Sequence, residues 1–124
     1  METQNGAITE KQHSDMVRAL IKPGADISAT MTPEKANLMH MAFGIAGEAG
    51  EILDAIKKHV VYNQPLDFEN IIEELGDLEF FMKGTMQALC LGRQRILEAN
   101  IKKLAKRYGE KYSDDAAKAR KDKV

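Results

Sequence analysis

At 124 residues and 13.8 kDa, the chain has room for one domain with one hydrophobic core and not for two. Hydrophobic residues make up 44% and charged residues 30%, a balance that excludes collagen-like, mucin-like and wholly disordered chains. With 18 basic against 19 acidic residues the formal net charge is -1, so no overall positive field exists to hold a nucleic-acid polymer.

The single cysteine, Cys90, has no partner for an intramolecular disulfide and lies in an apolar run, residues 86–91, where a buried, inert thiol is expected. No 18-residue apolar run occurs, and METQNGAITEKQ lacks the basic-then-apolar order of a leader. A cytoplasmic protein without membrane contact is therefore expected.

In chain order, a first helix is expected over residues 9–22, with Ile8, Met16, Val17, Leu20 and Ile21 as its apolar stripe and Pro23-Gly24 as its stop. A loop over residues 25–31 follows. Thr32-Pro33-Glu34 is a helix start: the hydroxyl caps, proline suits the first helical position, and the acid suits the positive end of the dipole. The second helix should run over residues 33–60. After a loop at 61–66, Asp67 caps a third helix reaching residue 91, whose apolar positions, Phe68, Ile71, Ile72, Leu75 and Leu78 among them, recur at three and four. Gly92 is expected to close it in a left-handed conformation. A fourth helix then carries Ile96, Leu97, Ile101 and Leu104 as far as Tyr108-Gly109. The tail, residues 110–124, is charged, nearly free of large apolar groups, and expected to be mobile. No period-two alternation argues for a sheet, so the expected fold class is all-α, a small antiparallel bundle of four helices.

Two acidic pairs stand apart from the general scatter of charge: Glu48 and Glu51 in the second helix, Glu74 and Asp77 in the third. Their i, i+3 spacing puts each pair on one helix face, and two such faces can meet across an antiparallel pair. Crowded carboxylates persist only with solvent or a compensating cation between them. Four carboxylates without His or Cys form a hard oxygen donor set, which selects Mg²⁺ or Mn²⁺ over zinc or copper. On the helical wheel Asn37, His40, Gly44, Gly47, Glu51 and Lys58 fall within about 100° of Glu48. Glycine in a helix interior costs about 0.5–1 kcal/mol against alanine, so Gly44, Gly47, Gly50 and Gly76 beside the acids suggest close approach of a ligand or a helix. The fourth helix adds Asn100, Lys103 and Arg107 at i, i+3 and i+7, with Tyr108 just beyond. Cations and amides hold phosphate oxygens, so acids and bases together describe a site for a metal-polyphosphate ligand.

The strings GIAGEAGEILDAIKK (residues 44–58), EELGDLEFF (73–81) and NIKKLAKRYG (100–109), in that order, resemble the MazG-like all-α nucleoside triphosphate pyrophosphohydrolases. The resemblance covers roughly residues 35–112. It implies the fold of that family, with a core completed by oligomerisation as a homodimer or homotetramer, and a catalytic helical domain at residues 33–109 between an N-terminal helix and loop (1–32) and the charged tail (110–124). It also implies that Glu48, Glu51, Glu74 and Asp77 are Mg²⁺ ligands, that Asn100, Lys103, Arg107 and Tyr108 bind phosphate or nucleotide, and that the reaction splits a nucleotide into its monophosphate and pyrophosphate.

The same chemistry follows physically. Four carboxylates repel a nucleoside triphosphate unless divalent metal stands between them. Glu51 and Glu74 lead as direct ligands, and Glu48 or neighbouring Glu73 is a candidate to orient or deprotonate the attacking water. Lys58 is a candidate for phosphate contact, Lys57 for solvation, and Asn37 and His40 for reading the base. A purine dNTP such as dGTP is the first substrate guess, with ppGpp, dUTP and phosphoribosyl-ATP behind it. A di-iron or di-manganese bundle needs E-x-x-H on two helices, and this chain has a single one, Glu10 to His13. A non-catalytic helical interaction module, turning over no nucleotide, is the alternative from a different class.

Overall fold

The computed structural model describes residues 6–123; residues 1–5 and 124, which belong to the expected N-terminal segment and tail, lie outside the described residues. Every regular element is helical: α1 (Glu10–Leu20), α2 (Gly24–Ala29), α3 (Pro33–Val61), α4 (Phe68–Ala88), α5 (Arg93–Tyr108) and α6 (Asp114–Ala119), followed by a 3-10 turn, Lys121–Lys123. The all-α class and the four long helices are those expected, with boundaries displaced by at most three residues. Among the described residues no helix is long and apolar enough to cross a membrane. The chain divides into two compact units, Met1–Lys35 and Ala36–Val124.

In the first unit, α1 opens with a reciprocal cap. Thr9 Oγ1 accepts from the Gln12 N–H at 3.2 Å, and Gln12 Oε1 accepts from the Thr9 N–H at 2.7 Å, satisfying two donors that a helix start otherwise leaves open. Pro23-Gly24 ends α1 as expected. Residues 24–29, however, form α2 instead of the expected loop: the Pro23 carbonyl accepts from the N–H groups of Asp26 and Ile27 at 3.0 and 3.3 Å, and Asp26 sits in the first turn, where the dipole favours an acid. Thr32 caps as its sequence position suggests, Oγ1 accepting from the Lys35 N–H at 3.1 Å.

In the second unit, α3 and α4 run antiparallel, joined by a tight connection in which Asp67 Oδ1 accepts from the Asn70 N–H at 3.1 Å. The two helices approach closely at two points. A Cβ at Gly44 would overlap the Phe81 ring, and one at Gly84 would overlap the Met41 sulfur. Both contacts join residues equally far along the chain from the connection, which fixes a register that sets residue 48 opposite 77 and residue 51 opposite 74. Gly47, Gly50 and Gly76 meet nothing within 4 Å, so helix approach accounts for Gly44 and not for those three.

The end of α4 departs from expectation. Leu91 N–H donates to the Met86 carbonyl at 2.8 Å and Cys90 N–H to that of Gln87 at 3.2 Å, the paired bonds of a Schellman stop. The left-handed residue in it is Cys90, φ 54°, whereas Gly92, φ -82°, caps the start of α5. Cys90 is exposed, not buried: the left-handed turn carries it off the apolar face of α4. The tail is also not the mobile segment expected. Ser113 Oγ caps α6 by accepting from the Ala116 N–H at 3.1 Å, and α6 and the 3-10 turn pack on α5.

Among the described residues of this unit only Ala55, Met86 and Glu74 are buried, while Phe43, Leu53, Val60, Phe68 and Phe80 are 62–70% exposed. One copy of the chain leaves most of the apolar faces of α3 and α4 in water. The close approach at Gly44 predicts that Gly44→Ala, which must displace the Phe81 ring, destabilises the protein by about 1–3 kcal/mol, whereas Gly50→Ala, in open space, stabilises it by about 0.5–1 kcal/mol. Urea unfolding of the two variants checks the pair, and equal shifts would discard the packing account.

Candidate functional site

The register set by Gly44 and Gly84 brings the two acidic pairs together in the seam between α3 and α4. One carboxylate oxygen from each of Glu48, Glu74 and Asp77 lies within 4.8 Å of the others. Glu74 is 9% exposed, the one buried polar or charged residue among those described. Glu48 Oε2 and Glu74 Oε2 are both shielded from solvent and meet no hydrogen-bond donor of the protein. Buried acceptors without donors are costly, and two together call for either a proton or a cation.

Crowding also raises the proton affinity of the cluster. The Glu51 carboxyl donates to Glu74, which raises the Glu51 pKa above the ordinary carboxylate value, and the negative charges of Glu74, Asp77 and Asp54 push the same way. Glu74 is raised chiefly by its own hydrogen bond to Glu48, with desolvation and the charges of Glu48 and Asp77 adding to it; the bond it accepts from Glu51 acts in the opposite sense. The charges acting on Glu51 and Glu74 are thus all carboxylates. A set of hard oxygen donors, crowded, partly dry and short of positive charge, fits a small divalent cation.

The remaining sequence candidates are distributed around this seam. Lys58 Nζ pairs with Asp54 Oδ2 at 3.0 Å, both groups half-exposed, beside a polar cavity of about 390 Å³ that Gln64 and Asn70 also line. Lys57, expected to be solvated, lies over the Tyr62 ring at 5.8 Å. His40 meets Phe81 edge-on, ring centroids 6.1 Å apart, so it stands next to the ring that covers Gly44. Asn37 lines a different cavity, about 650 Å³, with Met41, Phe80, Lys83, Gly84 and Gln87. This is larger than the polar cavity, but none of the four acids lines it, and the donor geometry identifies the seam as the chemically loaded place. Glu73 is exposed.

The block on α5 divides in two. Asn100 and Tyr108 line a groove with Ile101 and Leu104, and Tyr108 stacks obliquely on Tyr112, ring centroids 5.4 Å apart. Arg107 turns to the folded tail, its Nε donating to Asp122 Oδ1 at 2.7 Å and its Nη2 to Oδ2 at 3.2 Å. That bond holds the Asp122 carboxyl below its ordinary range, helped by the charges of Arg107 and Lys103. No hydrogen bond or ion pair among the described residues joins Asn100, Lys103, Arg107 or Tyr108 to the four acids of the same chain. Sequence reasoning missed Asp54 and Asp122. The first carried a legible signal, an acid four residues before Lys58 on one helix; the second carried none, because fifteen residues separate it from Arg107.

Comparison with known families follows the same residues. No curated protein and no solved structure matches the chain. The family model described as the MazG nucleotide pyrophosphohydrolase domain matches residues 37–113, a span that holds the four acids and the whole basic block of α5. With more than half of its length matched, the chain belongs to the MazG nucleotide pyrophosphohydrolase domain family.

Proposed function

We propose that the protein is a Mg²⁺-dependent nucleoside triphosphate pyrophosphohydrolase that converts a (d)NTP to (d)NMP and pyrophosphate, with Mn²⁺ able to substitute and dGTP the first substrate to try. The observation that carries this reading is the pair of donorless oxygens, Glu48 Oε2 and Glu74 Oε2, beside Asp77 in a chain of this family. Glu48, Glu74 and Asp77 would hold the cation, and Glu51 joins them as the fourth acid through Glu74. When bound, the cation supplies charge neutralisation and Lewis acidity at the phosphoryl oxygens. Glu51 is exposed and feels the charges of Glu74 and Asp77, a placement beside the would-be cation ligands that would suit it to accept the proton of an attacking water. Lys58 and the α5 residues Asn100, Lys103, Arg107 and Tyr108 are assigned to phosphate and nucleotide, and Asn37 and His40 to the base.

Exposed apolar faces on α3 and α4 are what a second copy of the chain would cover, so the working form is proposed to be a homo-oligomer. Contiguous apolar surface of this kind marks an association site. Sedimentation at micromolar concentration should give a dimer or tetramer for the wild type and a smaller species for a Leu53→Glu, Phe80→Glu double variant; a monomeric wild type contradicts the proposal.

A panel of nucleoside and deoxynucleoside triphosphates with Mg²⁺, followed by pyrophosphate release, tests the activity directly. Release in equal amount with monophosphate, abolished by chelation, is the expected result. A panel in which nothing is split above background sinks the catalytic reading and leaves the non-catalytic module.

Glu74→Gln separates metal binding from folding. The variant should lose at least about a thousandfold in activity, yet its metal-free form should melt higher than the wild type at neutral pH, because an amide can donate to Glu48 where a second carboxylate repels it. The sign with pH follows. Glu51 and Glu74 are raised above the ordinary glutamate value, so the folded state binds protons more tightly than the unfolded one. Metal-free wild type therefore gains stability as pH falls from neutral through the raised values towards 4.5, and loses it as pH rises again. Asp122, lowered from 3.8, weakens the fold only at still lower pH. Thermal melts in chelator should show the acid-side gain in wild type and a smaller one in Glu74→Gln; Mg²⁺ should raise the wild-type melting temperature near neutrality and progressively less in acid.

A further inference from the structure

The tail beyond the family match folds back onto α5 and places one carboxylate against the basic block. Asp122 is 5% exposed at its side chain and Arg107 16%. The contact is side-on and bidentate, using Nε and Nη2 of the guanidinium and leaving the Nη1 edge directed away from the carboxylate. A planar fork held on one edge has its other edge fixed in direction, which is how an arginine is pre-set to receive a phosphoryl oxygen. The carboxylate does not cancel the basic block. Lys103 acts on Asp122 electrostatically and Lys123 Nζ lies 4.0 Å from Oδ2, so three cations surround one anion and net positive charge remains for a polyphosphate. The face of Tyr108 lies beneath the guanidinium, Cζ 5.9 Å from the ring centroid, limiting its swing on a second side.

We propose that Asp122 is a positioning residue: it orients Arg107 toward the phosphate oxygens of the nucleotide, so that the folded tail is part of the substrate site and not an appendage. This rests on the proposed nucleotide chemistry, and in particular on Arg107 contacting phosphate. It gives α6 and the 3-10 turn a function and extends the working unit past residue 113, where the family match ends.

Four variants test it: Asp122→Asn, Asp122→Glu, Arg107→Lys, and Arg107→Lys with Asp122→Asn. Two quantities are read, the steady-state constants for the preferred nucleotide and the affinity for inorganic pyrophosphate without metal. Asp122→Asn should raise KM about tenfold with kcat changed less than about twofold, and weaken pyrophosphate binding in parallel. Asp122→Glu should recover most of the loss. Adding Asp122→Asn to Arg107→Lys should cost nothing more, since a lysine has no fork to orient. Should Asp122→Asn loosen α6, the glutamate variant and the lysine background still decide the matter. Unchanged KM and pyrophosphate affinity with a lowered melting temperature would overturn the proposal and reduce the pair to a tail anchor. A wild type that splits no nucleotide overturns the proposed activity alone, because pyrophosphate affinity still reads the orientation of Arg107: a fall in Asp122→Asn supports the positioning role, and no change refutes it.

Discussion

Close packing of Phe81 over Gly44 and of Met41 against Gly84 fixes how α3 lies on α4, and that register drives acidic side chains together one and two turns further along. Two demands oppose each other there. Dispersion and apolar burial favour the tight seam, while like charges in a partly dry place disfavour it. Glu74 cannot escape to water because it is buried, and the crowding raises the proton affinity of Glu51 and Glu74. A proton is a partial remedy, offsetting one charge in a group of four. A divalent cation would offset two and satisfy oxygens that no protein donor reaches, so under the proposed function the tightness of the seam and its fitness for metal have one cause.

The same seam leaves most of the apolar surface of the helix pair uncovered in a single chain. An antiparallel pair of helices has two long sides, and burying Ala55 and Met86 uses only the line of contact between them. Hydrophobic patterning at three and four on α4 is wide enough to face more than one neighbour. Helix pairs of this kind become stable by stacking a further layer on the apolar side, while the carboxylate side stays open to ligand. In the proposed homo-oligomer, association would use the exposed apolar faces of α3 and α4 and leave the carboxylate seam to the ligand.

Much of this was legible in the sequence, for reasons that can be named. Period-three-and-four patterning and the caps at Thr32 and Asp67 mark helix existence and starts, since they depend on neighbours within one turn. The acidic pairs were legible because i, i+3 spacing is itself geometry. What could not be read depends on contacts distant in sequence. Which three oxygens converge most tightly, Glu48, Glu74 and Asp77, is decided by interhelical register, and periodicity on one helix does not state it. Cys90 in place of Gly92 as the left-handed residue follows from where the paired bonds to Met86 and Gln87 close α4, which residue preference does not state. Helix α2 is too short to display a period, and the tail showed only charge, its fold resting on a bond between residues 107 and 122.

That last bond bears on how a nearly neutral chain would handle the highly anionic substrate of the proposed function. A net charge of -1 conceals a separation: acids gather in the α3–α4 seam, and bases gather on the last turns of α5, where the negative end of the helix dipole favours Lys106 and Arg107. Gly109, at φ 68°, ends α5 in a conformation open to glycine and lets the chain reverse, so that Asp122 can return to Arg107. Had the tail continued outward, the guanidinium would be free to rotate, and the entropy of ordering it would fall on substrate binding. Folding the tail back places that ordering in the protein before the substrate arrives. Under the proposed function the acids would need a cation to accept phosphate, whereas the bases would not, and a ligand that carries both metal and phosphate would engage both groups.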